Sequence, residues 1–214
     1  MFIQRIRVRF QKRGELKAIS HLDLMRSFER ALRRTGMPLR MSEGFNPRPR
    51  ISFPAPLGVG MEGLDEVMEF ELADWVYPPE VERRLREQLP SGLELLSATV
   101  ADPGKSAQGK EATYEIAPAP ELAKDPRLSE ESLKTILARE DIPAKRVRKG
   151  RAKVVNVRPF VLDLTRHRDK VVLRVKADSE GSTRPEEILG ALGFDDATSR
   201  TLFGIARTRV ELAG

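Results

Sequence analysis

Cysteine is absent from the sequence, and histidine occurs only twice, as His21 and His167. Without cysteine the chain can form no disulfide, no cysteine zinc site and no iron–sulfur cluster, and it has no thiol nucleophile. Two histidines are also too few for a histidine-rich metal site. We therefore expect the protein to work without a bound metal or other cofactor.

Long apolar runs are also missing, and no segment approaches the roughly 20 residues that a membrane span needs. Residues 1–20 alternate arginine with apolar side chains, which is unlike a signal peptide. The sequence therefore predicts a cytoplasmic protein that does not contact a membrane. Because 40% of the residues are hydrophobic, the chain has enough apolar material for a core, and wholesale disorder is excluded.

Charge is unevenly distributed along the chain, although the net charge is only +6. Residues 1–50 carry a net charge of +9 and residues 145–176 one of +10, whereas residues 51–144 carry −10. Two basic blocks on an otherwise acidic chain favour binding to a polyanion such as RNA. The alternative is that the opposite blocks pair with each other inside the fold.

The first hundred residues follow the order strand, helix, strand, strand, helix, strand. Hydrophobic periodicity and turn signals predict these six elements at 2–10, 20–34, 50–53, 66–72, 78–89 and 93–100. This βαββαβ order is that of a ferredoxin-like unit, whose strands lie in the order 4-1-3-2. The first strand then lies beside the third, so we expect cross-strand ion pairs between Arg5, Arg7 and Arg9 and the acidic residues Glu69 and Glu71.

The second half of the chain predicts another α+β unit with less regular boundaries. Residues 102–111 are rich in turn-forming residues and are expected to be a linker. This linker would join a ferredoxin-like domain at 1–101 to a second, irregular ferredoxin-like domain at 112–214. Within the second domain we expect strands at 113–117, 171–175 and 205–212 and helices at 129–139 and 184–192. Residues 147–157 are expected to form a hairpin that turns at Lys149 and Gly150.

Two segments are distinctive, namely SHLDLMRSFERALRR at 20–34 and SEGFNPRPRISF at 42–53. Together they resemble the radical-SAM-linked domain, a bacterial family of undefined biochemical role, and the resemblance extends over the whole chain. In that family the domain often follows a radical SAM enzyme on one polypeptide or is encoded beside one, near genes for RNA processing and ribosomal proteins. The resemblance implies an accessory role in RNA or ribosome modification. Since this chain has no cysteine, radical chemistry would come from a separate radical SAM enzyme.

The chain is also similar, at the level of fold, to the CRISPR repeat-RNA endonucleases. The similarity lies in the basic first strand, the helix that opens with His21 and the RPRISF segment. That similarity implies a metal-independent RNA-processing endonuclease, with His21 as a general base at the helix start. The alternative for His21 is a packed histidine that hydrogen-bonds the 44–49 loop. No acid partner for His21 is evident, so we expect no catalytic activity from the chain itself.

The segment GFNPRPR at 44–50 is a candidate RNA contact. Its two prolines fix their own φ and hold the preceding residues extended, so the loop is expected to be stiff. An aromatic ring here could stack on a base and an arginine could contact a phosphate; the residues concerned are Phe45, Asn46, Arg48 and Arg50. The alternative is a rigid connector with Phe45 inserted in the core.

The helix at 20–34 carries a second candidate contact, because Arg26, Arg30 and Arg33 lie on one side of it. Glu29 is expected to relieve the charge of Arg33. The repulsion that remains between like charges four residues apart favours an external anion, although a solvated helix face is the alternative.

The densest charge lies at 145–153, where six of nine residues are cations: Lys145, Arg146, Arg148, Lys149, Arg151 and Lys153. At a hairpin tip these side chains would face a phosphate backbone. We therefore expect this cluster to be the main polyanion contact and the arginine face of the helix to be its competitor. A flexible, solvated loop is the alternative.

Three hypotheses follow from the sequence. The first is a non-catalytic module that binds RNA or the ribosome and acts with a separate radical SAM enzyme. The second is the RNA-processing endonuclease that uses His21. The third is a protein–protein assembly domain, in which the acidic and basic blocks serve assembly.

Overall fold

A computed structural model describes residues 3–148, 150–178 and 180–213 of the 214-residue chain. The chain divides into two compact units, Met1–Gln108 with Leu212–Gly214, and Gly109–Glu211. Each is a mixed α+β unit with antiparallel strand pairs and few helices. In the described part of the chain, no helix is both long and apolar enough to span a membrane.

Among its described residues, the first unit contains four strands and two α-helices in the predicted sequence of elements. They are β1 (Gln4–Lys12), α1 (His21–Arg34), β2 (Ile51–Ser52), β3 (Glu62–Leu72), α2 (Pro78–Arg86) and β4 (Leu93–Ala101). Strand β1 pairs with both β3 and β4, and the short β2 pairs with β3, in each case antiparallel. The strand order is therefore β4-β1-β3-β2.

Helix α1 begins directly after Ser20, whose hydroxyl oxygen accepts a hydrogen bond from the backbone N–H of Asp23 at 3.2 Å. This cap satisfies one of the free donors of the first turn. The apolar face of α1 is buried in the core of the first unit, with Phe28 edge-on to Phe10 at 4.8 Å between ring centroids. The opposite, arginine-bearing side of the helix is left exposed.

Two arginines of β1 form the cross-strand ion pairs with Glu69 and Glu71 that the sequence predicted, whereas the third, Arg9, pairs with a different acidic residue of β3. Arg5 lies 2.7 Å from the carboxylate of Glu71, and Arg7 lies 2.9 Å from that of Glu69. Arg9 pairs with Asp65 at 2.6 Å. The register of β1 against β3 places Arg5 opposite Glu71 and Arg7 opposite Glu69. These three cations are therefore engaged within the fold.

The strand order of the second unit corresponds to that of the first, and the second unit contains an additional hairpin. Its elements are β5 (Gly109–Pro118), α3 (Glu130–Leu137), β6 (Pro143–Arg148), β7 (Arg151–Asn156), β8 (Val161–His167), β9 (Lys170–Lys176), α4 (Pro185–Ala191), α5 (Asp196–Thr201) and β10 (Phe203–Leu212). Four strands lie in the order β10-β5-β9-β8, and β6 and β7 form a separate antiparallel pair. The hairpin lies between α3 and β8 in sequence.

Two elements of the second unit were not predicted, strand β8 and helix α5. Strand β8 contains a bulge between Val161 and Asp163, where its register against β9 shifts. Its buried residues Val161 and Leu164 are consequently three apart, which breaks the two-residue alternation typical of a strand. The last residues of the linker predicted at 102–111 belong to a strand, because β5 begins at Gly109.

Candidate functional site

An open cleft of about 520 Å³ lies between helix α1 and the loop that precedes β2. We call it the arginine cleft, and its lining consists of Arg26, Glu29, Arg30, Arg33, Asn46, Pro47 and Arg48. The helix and the loop, which were separate candidates in the sequence, therefore contribute to one site. Four of the seven lining residues are arginines and one is acidic.

The loop is held in place by hydrogen bonds at its base and at its side. The backbone N–H of Ser42 donates to the carbonyl of Arg48 at 2.7 Å, and the Arg48 N–H donates to the Ser42 hydroxyl at 3.0 Å. From the helix, Arg33 donates to the carbonyl of Pro47 at 2.7 Å. Gly44 has a φ of +112°, a positive value that glycine adopts readily because it has no Cβ atom. These contacts fix the loop against α1 and shape one wall of the cleft.

The charges of the cleft are only partly compensated by acidic groups. Arg26 lies 3.4 Å from Asp23, and Arg48 lies 3.9 Å from Glu29, whose side chain is 16% exposed. Among the described residues, Arg30 and Arg33 have no ion-pair partner; their bonds go to the Ser27 hydroxyl and the Pro47 carbonyl. The cleft therefore presents an excess of positive charge to solvent.

Phe45 and Arg50 occupy different positions relative to the cleft. Phe45 lies at the tip of the loop with its side chain completely exposed, so the alternative that it fills the core is wrong. Arg50 does not line the cleft, and its guanidinium is 4.0 Å from the carboxylate of Glu43. The backbone N–H of Arg50 donates to the carbonyl of Arg40, and the backbone carbonyl of Arg50 accepts from the N–H of Glu71 in β3.

The β6–β7 hairpin distributes its cations over two faces. In the register of the pair, Lys145 lies opposite Val154, and Arg146 lies opposite Lys153. Lys145 therefore shares a face with the exposed valines Val147 and Val154, while Arg146 and Lys153 belong to the other face. Lys145, Arg151 and Lys153 are exposed. Lys149 lies outside the described residues, as does the side chain of Arg148.

Arg146 is engaged in the fold of the second unit. Its guanidinium donates to both carboxylate oxygens of Glu187, at 2.7 and 2.8 Å, and to the Ser182 carbonyl at 2.6 Å. The hydrogen bond with Glu187 raises the pKa of Arg146. Burial alone would raise the pKa of Glu187, but the hydrogen bonds from Arg146 and the Arg184 N–H outweigh it and lower that pKa. These bonds anchor the hairpin to the segment that carries Ser182 and Glu187.

His21 is the first residue of α1, and its ring packs edge-on against Phe53 at 5.0 Å between centroids. The nearby carboxylate of Asp23 accepts from the Ser20 hydroxyl at 2.7 Å and from Arg26. The Ser20 hydrogen bond is the largest of the effects that lower the pKa of Asp23. Asp23 thus serves the helix cap. Within the described ranges no three acidic or histidine side chains are grouped as a metal site.

The chain matches the model of a known protein family. A family model described as "Uncharacterized protein conserved in bacteria (DUF2344)" matches residues 5–185 of the chain, which include the whole arginine cleft and the β6–β7 hairpin. No curated protein matches the chain significantly.

Proposed function

The chain belongs to this family of uncharacterized bacterial proteins, and we propose that it is a non-catalytic RNA-binding module whose arginine cleft contacts the phosphate backbone. The observation that carries this proposal is the convergence of four arginines on one cleft with a single acidic residue. Phosphate groups would relieve the repulsion among these cations. The planar guanidinium also matches two phosphate oxygens at once.

Arg30 and Arg33 are the strongest candidates for phosphate contacts. Both are exposed, and neither is committed to an acidic partner in the described part of the chain. They lie three residues apart on α1, so their side chains emerge from neighbouring positions on the same helix face. A ligand can therefore bind them without displacing an existing ion pair.

The hairpin is proposed as a second, weaker contact. Arg146 is bonded to Glu187 and Ser182, and two valines occupy the face that Lys145 shares. The exposed cations described there, Lys145, Arg151 and Lys153, remain able to meet a phosphate. Their contribution would be non-specific and dependent on salt.

The biological setting of this module is proposed from the resemblance to the radical-SAM-linked domain. In that setting the chain holds RNA, free or within the ribosome, while a separate radical SAM enzyme supplies the chemistry. We also propose that both units are ferredoxin-like, the second with an inserted hairpin. This assignment is supported by the strand orders of the two units, β4-β1-β3-β2 and β10-β5-β9-β8. The first is the 4-1-3-2 order of the ferredoxin-like fold, and the second corresponds to it.

The proposal is tested by fluorescence anisotropy with a labelled stem-loop RNA. We expect the double variant Arg30→Ala with Arg33→Ala to bind about 10- to 100-fold more weakly, since each lost phosphate contact is worth roughly tenfold. The matched control removes two exposed arginines of α2, Arg83 and Arg86, which are paired with glutamates. This control should bind like the wild type, and equal weakening of both double variants would overturn the proposal.

The endonuclease alternative is tested in the same preparation. The stem-loop RNA should remain intact on incubation with the protein. Specific cleavage that disappears in a folded His21→Ala variant would overturn the non-catalytic assignment and favour the endonuclease hypothesis.

A further inference from the structure

Phosphate binding by the arginine cleft leaves one feature of the site unexplained, the position of Phe45. Its side chain is completely exposed, although a phenylalanine in water forgoes the hydrophobic stabilisation that burial would provide. Phe45 adjoins Asn46, which lines the arginine cleft. The loop therefore carries a fully exposed aromatic side chain on the residue next to one that lines a cleft of four arginines.

The backbone around Phe45 is organised before any ligand binds. Hydrogen bonds between Ser42 and Arg48 close the base of the loop. The bond from Arg33 to the Pro47 carbonyl ties the loop to helix α1. Pro47 and Pro49 restrict the chain on the far side of the tip. Because the backbone is already constrained, little ordering is needed when a ligand covers the ring.

We propose that the arginine cleft and Phe45 together select single-stranded RNA, an inference that rests on the proposed function. In this arrangement Arg30 and Arg33 bind the phosphates, and the ring of Phe45 stacks on the face of an unpaired base. The amide of Asn46, which can both donate and accept hydrogen bonds, directly follows Phe45 in the chain and lines the cleft, so it is available to the edge of that base.

The reason for selection lies in the different availability of phosphates and base faces. Phosphates are exposed in both duplex and single-stranded RNA, so the arginines alone do not discriminate between them. Base faces are covered by their neighbours inside a duplex, whereas an unpaired base can be splayed out onto an aromatic ring. Phe45 is therefore the residue that distinguishes the two forms.

The surroundings of Phe45 favour a base over an apolar protein surface. Protein hot spots surround an aromatic anchor with contacts that exclude water and are depleted in charge at their centre. Here the adjoining cleft contains four arginines and a glutamate. An exposed ring on the loop that also supplies Arg48 to the cleft matches the alternating base and phosphate chemistry of a nucleic-acid strand.

The test compares a labelled 12-nucleotide single-stranded RNA with the same strand annealed to its complement, both measured by anisotropy. We expect the wild type to prefer the single strand. Phe45→Ala should weaken single-strand binding by about 5- to 150-fold, the range for loss of one stacked base, and leave duplex binding unchanged. Phe45→Trp should restore the preference.

Two controls separate stacking from a general effect of the substitution. Tyr77→Ala removes another exposed aromatic ring, one that lies outside the loop that borders the cleft, and should bind like the wild type. A 12-nucleotide abasic strand keeps the phosphates and removes the bases, so wild type and Phe45→Ala should bind it equally.

The possible failures are distinguishable. If Phe45→Ala binds the single strand as tightly as the wild type while the Arg30 and Arg33 variant is weakened, single-strand selection is overturned and the proposed function stands. If the wild type binds neither form of RNA, the proposed function itself is overturned.

Discussion

Replacing Arg146 by methionine should loosen the β6–β7 hairpin from the second unit. The guanidinium makes a two-pronged contact with the Glu187 carboxylate and a third bond to the Ser182 carbonyl. Methionine retains much of the apolar stem of arginine but none of these donors. The Glu187 carboxylate, whose side chain is 10% exposed, would keep only the Thr183 hydroxyl and the Arg184 N–H.

The magnitude follows from how deeply the pair is buried. Removing one partner of a fully buried ion pair costs about 3–5 kcal/mol, because a charge is left uncompensated in the interior. Here the arginine side chain is 29% exposed, so solvent screens part of that loss. We expect the free energy of unfolding of the second unit to fall by about 2–3 kcal/mol at pH 7.

The loss should depend on pH with a definite sign. In the wild type the pKa of Glu187 is lowered, because the hydrogen bonds from Arg146 and Arg184 outweigh the opposing effect of burial. A lowered carboxyl pKa stabilises the fold above the unfolded value near 4.3, and this stabilisation disappears as the pH falls through the folded value. The stability difference between wild type and Arg146→Met should therefore shrink below about pH 4.

The assay is urea unfolding combined with hydrogen exchange of the hairpin amides, with Lys145→Met as the matched control. Lys145 is the exposed neighbour on the other face of the same strand, and its replacement should change stability by less than about 0.5 kcal/mol. Hairpin amides should exchange faster in Arg146→Met than in the control. Equal stability and equal exchange in the two variants would refute the anchoring role of Arg146.

Two further predictions concern the cleft and the core beneath it. Glu29→Gln removes the one acidic group among the described residues that line the cleft, so the affinity for stem-loop RNA measured by anisotropy should rise by about two- to fivefold. Weaker binding would mean that Glu29 is needed to position Arg48. Phe28→Ala empties a fully buried site packed on Phe10 and should cost about 3–5 kcal/mol in urea unfolding. A loss below about 1 kcal/mol would contradict the packing described for α1.

The first unit was largely predictable because its sequence signals are local and consistent. Helix α1, capped by Ser20, begins and ends within one residue of the predicted bounds. Arg5 and Arg7 pair with the glutamates that their predicted neighbouring strand carries. The strand β8 was missed because a bulge after Val161 disrupts the alternation. Sequence periodicity reports regular pairing, and it is lost where one strand gains an extra residue.

The composition of the site was predicted in parts, while its assembly was not. The helix arginines and the 44–50 loop were identified separately, but nothing local in the sequence indicates that the carbonyl of Pro47 receives Arg33. Glu29 was expected to relieve Arg33, and the structure places it beside Arg48 instead. The ion pair between Arg146 and Glu187, 41 residues away, could not be predicted either, because charge density alone does not show which cations are already paired.

The salt dependence of RNA affinity tests the central claim most directly. For a single-stranded ligand, each phosphate contact contributes about 0.7 to the slope of log affinity against log salt concentration. The slope of Arg30→Ala with Arg33→Ala should therefore be shallower than that of the wild type by about 1.4, and a variant with Lys145 and Lys153 neutralised should change less. Parallel slopes for the wild type and the cleft variant, with a shallower slope for the hairpin variant, would contradict the assignment of the arginine cleft as the RNA contact.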